Sequence, residues 1–233
     1  MTTRDWCVIP AGGRGSRFGG DVPKQFIEVG GRSILLHTLD AVLSHPRIAG
    51  VVVALPAQVD NVWSDAVDRL HGKPVLRCTG GDDRAASVAN ALAALPGEVG
   101  DDAHVLVHDA ARPNIAPADL DALFDALAMH PQGAILAAPL RDTPKRADTN
   151  GDIAATEPRE GLWRAFTPQA FPRRALAEAL AHVHAAGIEI TDEAMAMERV
   201  GIHAHLVEGR EDNFKITTRA DLERFEFVLS RRR

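Results

Sequence analysis

The chain has 233 residues, 45% apolar and 25% charged, values that suit one α/β domain with a real core and exclude a disordered or fibrous chain. Its net charge of −6 argues against nucleic acid as a main partner, because grip on a phosphate backbone needs a basic surface. No apolar run approaches a membrane span, and the first residues lack the hydrophobic stretch of a signal peptide, so a cytoplasmic protein is expected.

Trp6 to Pro10 reads as a buried strand. Ser33 to Leu43 carries Leu35, Leu36, Leu39, Val42 and Leu43 at helical spacing. Val51 to Leu55 is the next strand, Val59 to Leu70 is expected to be helical, and Val75 to Cys78 is a short strand. Cys7 and Cys78 each lie inside such a strand-like run and read as buried thiols, not as a disulfide framework. Arg84 to Leu95 places Val88, Leu92 and Leu95 on one face, Val105 to His108 is a strand, Asp119 to Ala128 is a helix, and Ala134 to Ala138 is another strand. Strands alternating with three-turn helices imply parallel β-α-β units with both sheet faces covered.

The polar segment Leu140 to Leu162 breaks this rhythm. Its Asn150-Gly151 pair, flanked by Pro144 to Ala147 and Ile153 to Thr156, signals a hairpin. A two-stranded arm alone is marginal in water, so a second subunit is the economical support. Beyond it, Arg173 to Ala186 and Asp192 to Val200 read as helices and His203 to Val207 as a strand. Thr218 to Leu229 closes the chain as a helix, with Thr218-x-x-Asp221 at its start. No repeat or linker divides the chain, so the expectation is one domain over 1–233 with an arm at roughly 140–162.

Sheets of this kind bind ligands beyond the carboxyl ends of their strands, so the residues that follow the strands carry the search for function. After the first strand comes Pro10-Ala11-Gly12-Gly13-Arg14-Gly15-Ser16-Arg17-Phe18-Gly19-Gly20, whose backbone N–H groups can cradle phosphate. It is neither a dinucleotide fingerprint, since Phe18 stands where the last glycine would, nor a Walker loop, since Gly-Lys-Ser/Thr is missing. Arg17 and Lys24 add cations that could steady charge building on a reacting phosphate, though each read alone could be a solvated surface charge. Gly80-Gly81-Asp82-Asp83-Arg84-Ala85-Ala86-Ser87 follows a strand and opens a helix, either as a base and ribose site or as an ordinary helix start. His108-Asp109-Ala110-Ala111-Arg112-Pro113 leaves a strand end with an Asp and an Arg that could hold a polyol phosphate or simply pair with each other. Further candidates are Arg141-Asp142-Thr143, Arg159 and Phe166-Thr167-Pro168-Gln169, and late in the chain Asp212-Asn213-Phe214-Lys215-Ile216-Thr217. The pairs His182/His184 and His203/His205 lack a convergent carboxylate, so no protein-built metal site is expected.

Taken together, PAGGRGSRFG, PKQF, GGDDRAAS, VLVHDAARP, RDTPKR, LWRAFTPQAF, TDEAMA and VEGREDNFKIT, in this order over nearly the whole chain, resemble the 2-C-methyl-D-erythritol 4-phosphate cytidylyltransferase family. The resemblance implies a Rossmann-like nucleotidyltransferase fold, a mostly parallel sheet with helices on both faces and a projecting β-arm that crosses in a homodimer. It implies transfer from CTP to the polyol phosphate with release of pyrophosphate, in non-mevalonate isoprenoid synthesis, with Mg²⁺ held mainly by the CTP phosphates. By position, Arg17 and Lys24 match transition-state stabilisers, and Ala11, Gly12, Gly13, Gly81, Asp82 and Ser87 match the cytidine site. Asp109, Arg112, Thr143, Arg159, Thr167 and Lys215 match the acceptor site, with Thr143 and Arg159 reaching across from a partner arm. Where the family usually has Ala-Ala-Gly this chain has Ala11-Gly12-Gly13, so any contact at Gly12 is through backbone. The chain ends at Arg233 with no cyclodiphosphate synthase segment, so the fused form is not expected. The competing readings are a ribitol 5-phosphate cytidylyltransferase and a non-catalytic nucleotide-binding regulator on the same fold.

Overall fold

The computed structural model describes residues 5–13, 22–57, 63 and 66–231. In chain order the elements are β1 (Asp5–Pro10), β2 (Glu28–Val29), β3 (Arg32–Ser33), α1 (Ile34–Leu43), β4 (Ile48–Leu55), β5 (Arg69–Leu70) and β6 (Lys73–Thr79). There follow α2 (Arg84–Ala93), β7 (His104–Val107), α3 (Pro117–Met129), β8 (Ala134–Pro139), β9 (Lys145–Ala147), β10 (Ile153–Thr156) and β11 (Trp163–Pro172). The last are α4 (Arg173–Ala185), α5 (Glu193–Arg199), β12 (His205–Glu208) and α6 (Arg219–Ser230).

The central sheet has eight strands in the order β12-β8-β11-β7-β1-β4-β6-β5. The neighbours β7-β1, β1-β4, β4-β6 and β12-β8 run parallel, and β11 runs antiparallel to both β7 and β8. The period-two alternation of the strands decides which side chain meets which helix layer. Cys7, Ile9, Val51 and Val53 point to one face, under Leu35, Leu39 and Val42 of α1 and Leu120, Leu123 and Phe124 of α3. Trp6, Val8, Val52 and Ala54 point to the other, under Val88 and Leu92 of α2, Leu176 and Leu180 of α4, and Met197 of α5. Gly50 lies against Trp6 so closely that a Cβ there would clash with the indole.

The helix starts follow from local chemistry. Ser33 accepts from the Leu36 N–H, Asp83 from Ala86, and Asp192 from Met195, each satisfying a backbone donor that the first turn leaves open. Thr218 and Asp221 form the reciprocal capping box at α6 that their spacing suggests.

Two elements depart from the expectations. A helix from Val59 to Leu70 does not hold at its end, because Arg69–Leu70 is β5, paired antiparallel to β6; 58–62, 64 and 65 are outside the described residues. His71 and Gly72 between them have φ of 51° and 73°, the left-handed pair of a tight hairpin turn. The second departure is β11, which the sequence shows only as a run of mixed polarity. It is a central strand whose Thr167 and Gln169 are buried and paired: Gln169 donates to Asp192 Oδ2 at 2.9 Å and accepts from the Ala194 N–H at 2.9 Å. Such satisfied polar groups hide the apolar pattern by which a buried strand is read.

Within the 140–162 segment, β9 and β10 pair only with each other, with Ile153 opposite Ala147. Every residue of both strands is exposed, including Ile153 at 68%. Among the described residues, no helix is long and apolar enough to cross a membrane.

Candidate active site

The chain leaves β1, builds β4 and β6 on one side, then returns to place β7 on the other. The loops after β1, β6 and β7 therefore diverge from a common edge, the position at which doubly wound sheets open a crevice. A cleft of about 400 Å³ lies there, lined by Pro10 to Gly13, Lys24, Gln25, Gly81 to Arg84, Ser87, Asp109 to Ala111, Lys215 and Thr217.

One wall is made of backbone and small side chains. The Ala11 N–H donates to the Ala54 carbonyl and the Gly80 N–H to the Leu55 carbonyl, which carry the sheet ladder past the strand ends. Gln25, buried in a 3-10 turn over Lys24–Phe26, donates to the carbonyls of Ala11 at 2.6 Å and Gly13 at 3.1 Å, so it holds the backbone of residues 11–13. Ser87 accepts from the Gly81 N–H at 3.0 Å and donates to the Asp83 carbonyl at 2.8 Å. Its hydroxyl braces the turn from within. A Cβ on Gly81 would run into Ala86, so no other residue fits this close approach of loop and helix.

The opposite wall is charged. Asp109, 6% exposed, sits just beyond β7. Its Oδ2 faces Lys215 Nζ at 3.0 Å and Arg112 Nε at 3.1 Å, and its Oδ1 faces an Arg84 nitrogen at 3.4 Å. Burial alone would push this carboxyl up; Lys215, Arg84 and Arg112 outweigh it and hold the group well below the usual carboxylate range. Behind Asp109 lies a buried hydrogen-bonded run. The Asp109 N–H donates to Thr167 Oγ1 at 3.0 Å, that hydroxyl meets His108 Nδ1 at 3.0 Å, and His108 Nε2–H donates to the Arg112 carbonyl at 3.0 Å. Burial disfavours the charged imidazolium and lowers the His108 pKa to about 4.

The late segment is stitched to the same loop. Arg112 donates to the Asn213 carbonyl at 2.8 Å, Asn114 to that of Asp212 at 2.7 Å, Asn213 to that of Thr167 at 2.9 Å, and the Ile216 N–H to Ala111. Lys24 donates to the Ile216 carbonyl at 2.8 Å, which puts its ammonium between the two walls.

Of the residues singled out from sequence, Ala11, Gly12, Gly13, Lys24, Gly81, Asp82, Ser87, Asp109 and Lys215 meet at the cleft. Arg112 and Thr167 stand behind Asp109 as its supports. Thr143 and Arg159 are exposed on the arm and do not line the cleft of their own chain; Arg159 donates to the Arg141 carbonyl. Arg17 lies outside the described residues. Gln25, Arg84 and Glu193 stand inside the motifs PKQF, GGDDRAAS and TDEAMA without a role legible there. For Arg84 a signal was available: a cation in the first turn of a helix opposes the helix dipole and calls for a partner.

A family model described as 2-C-methyl-D-erythritol 4-phosphate cytidylyltransferase matches residues 6–231. A relative of that name from Stenotrophomonas maltophilia (strain K279a) is 58% identical over 232 residues, covering 100% of this chain and 99% of its own length. Another, from Xanthomonas axonopodis pv. citri (strain 306), is 56% identical over 232 residues, covering 100% of this chain and 86% of its own. Among solved structures, the Francisella tularensis 2-C-methyl-D-erythritol 4-phosphate cytidylyltransferase superposes with a TM-score of 0.82 at 33% identity, covering 97% of this chain and 99% of that one. With the sheet order, the cleft and these matches in agreement, the chain belongs to the 2-C-methyl-D-erythritol 4-phosphate cytidylyltransferase family.

Proposed function

We propose that the cleft joins CTP to 2-C-methyl-D-erythritol 4-phosphate, giving 4-diphosphocytidyl-2-C-methyl-D-erythritol and pyrophosphate in non-mevalonate isoprenoid precursor synthesis. The observation that carries the division of labour is the asymmetry of the walls. Backbone and small groups at Ala11 to Gly13 and Gly81 suit a flat base and ribose, while Asp109 with its cations suits hydroxyls and a phosphate. A phosphate oxygen of the acceptor attacks the α-phosphorus of CTP; that P–O bond forms as the bond to pyrophosphate breaks. The nucleophile is already an anion, so catalysis is chiefly positioning and charge stabilisation. Lys24 supplies charge between the walls, and by resemblance Arg17 joins it. Lys215 positions the acceptor phosphate, Arg159 does so from a partner's arm in a homodimer, and Thr143 on that arm helps to hold the acceptor. The unsupported, fully exposed β9-β10 hairpin favours such a crossing.

Mg²⁺ fits this cleft as an ion carried by the triphosphate. Asp83 is spent on capping α2 and Asp109 on three cations. Among the described residues no group of His, Cys, Asp and Glu forms a metal cage. When bound, the ion supplies neutralisation of phosphate charge while keeping several waters.

The test is pyrophosphate release from CTP with 2-C-methyl-D-erythritol 4-phosphate and, separately, ribitol 5-phosphate. Turnover with the first and little with the second is expected. Turnover with ribitol 5-phosphate alone overturns the acceptor, and binding of CTP without turnover of either favours the regulator.

A further inference from the structure

The half-buried Arg84 belongs to the charged wall, but its ion pair with the buried Glu193 has no role in the function proposed above. Arg84 opens α2, where the positive end of the helix dipole disfavours a cation. Glu193 opens α5 and is 0% exposed; its Oε1 pairs with Arg84, and its Oε2 has no partner among the described residues. A carboxylate so placed is costly, and replacing a buried ion pair by apolar residues is often neutral or stabilising. Burial pushes the Glu193 carboxyl up and Arg84 draws it back, so the glutamate depends on this one cation. Stability gains little from such a pair; its consequence lies in what the pair holds.

It holds Asp109. Among the described residues, Oδ1 of Asp109 is engaged by Arg84 alone, whereas Oδ2 is shared by Arg112 and Lys215. The Arg84 side chain is 29% exposed and lines the cleft beside Asp109. Its planar fork spans two carboxylates, one nitrogen on Glu193 and the other on Asp109. We infer that Arg84, anchored from behind by Glu193, is a positioning residue for the polyol phosphate acceptor: it acts through Asp109, fixing the rotation of that carboxylate so that its oxygens meet the acceptor in one orientation. The nucleotide wall does not depend on this contact, because Asp83 caps α2 and Ser87 braces Gly81 independently.

This inference rests on the acceptor reading above, and the experiment separates the two. Pyrophosphate release is measured with CTP and 2-C-methyl-D-erythritol 4-phosphate varied in turn, for wild type, Arg84→Lys, Glu193→Gln and the double variant. Lysine keeps the charge but cannot bridge two carboxylates. Loss of a charge-assisted hydrogen bond predicts an acceptor KM raised about tenfold in Arg84→Lys, with the CTP KM within about twofold. Glu193→Gln shifts the acceptor KM the same way by about threefold, and the double variant is no worse than Arg84→Lys, because the two residues act as one unit. An unchanged acceptor KM in Arg84→Lys overturns the inference, as do parallel rises in both KM values or single effects that multiply in the double variant. Should Arg84→Lys fail to fold, Glu193→Gln, nearly isosteric, carries the same comparison of the two KM values. Wild-type protein that releases no pyrophosphate with this acceptor overturns the reading beneath; wild-type turnover with silent variants overturns the role of Arg84 alone.

Discussion

The two walls of the cleft solve recognition differently. After β1 and β6 the site is built from main chain: Gly81 lets the loop lie against Ala86, Gly12 and Gly13 present bare backbone, and Gln25 and Ser87 spend their polar groups holding that backbone in place. After β7 the site is built from side chains: Asp109 is gripped by Lys215, Arg112 and Arg84 and backed by Thr167 and His108. A backbone wall tolerates loss of a side chain but not gain of one. A wired wall tolerates small changes of shape but not loss of a charge, since a buried partner is then left uncompensated.

Lys24 stands between the walls and gives the largest expected effect. Lys24→Ala should lower kcat by about a hundredfold to a thousandfold, the range for losing one preorganised charge at a transition state, with CTP binding little changed in a direct titration. Next comes the wired wall itself. Asp109→Asn leaves three cations facing a neutral amide; it should cost about 3 kcal/mol in denaturant unfolding and reduce kcat/KM for the acceptor more than for CTP. Equal losses for both substrates would erase the distinction between the walls.

The same network fixes a pH response. His108 titrates at about 4 in the folded chain against an ordinary 6.5. Between these values the unfolded chain binds a proton that the folded chain refuses, so stability present above 6.5 is lost as the pH falls towards 4. The loss should reach about 3 kcal/mol, because each tenfold difference in proton affinity between the two states is worth about 1.4 kcal/mol. Urea unfolding of wild type and His108→Gln at pH 7 and pH 5 checks it, and the variant should show a shallower dependence. The smallest effect belongs to the backbone wall: Gly81→Ala should cost about 1–3 kcal/mol through overpacking against Ala86 and raise the CTP KM while sparing the acceptor KM.

What the sequence discloses follows the same division. The strand Trp6 to Pro10 is legible as an unbroken apolar run buried on both faces, and the helix Ser33 to Leu43 by its one periodic apolar face. β11 is not, because Thr167 and Gln169 are buried there and satisfied by partners distant in the chain. β5 is hidden because a two-residue turn at His71-Gly72 leaves too few residues to alternate. The loops of the backbone wall are marked by glycines next to one another in sequence. The wired wall draws Arg84, Asp109, Glu193 and Lys215 from four separate segments, and while Asp109 stands out after a strand and Lys215 as a cation between apolar residues, the pairing of Arg84 with Glu193 exists only once α2 and α5 have both packed against α4.

The central claim is that the cations of this cleft direct an acceptor phosphate oxygen onto the α-phosphorus of CTP. Acceptor carrying isotope-labelled phosphate oxygens tests it directly, with mass spectrometry of both products. The account predicts one labelled oxygen bridging to the cytidine-bearing phosphorus and unlabelled pyrophosphate; release of CMP in place of pyrophosphate, with the label joined to the transferred diphosphate, would contradict it.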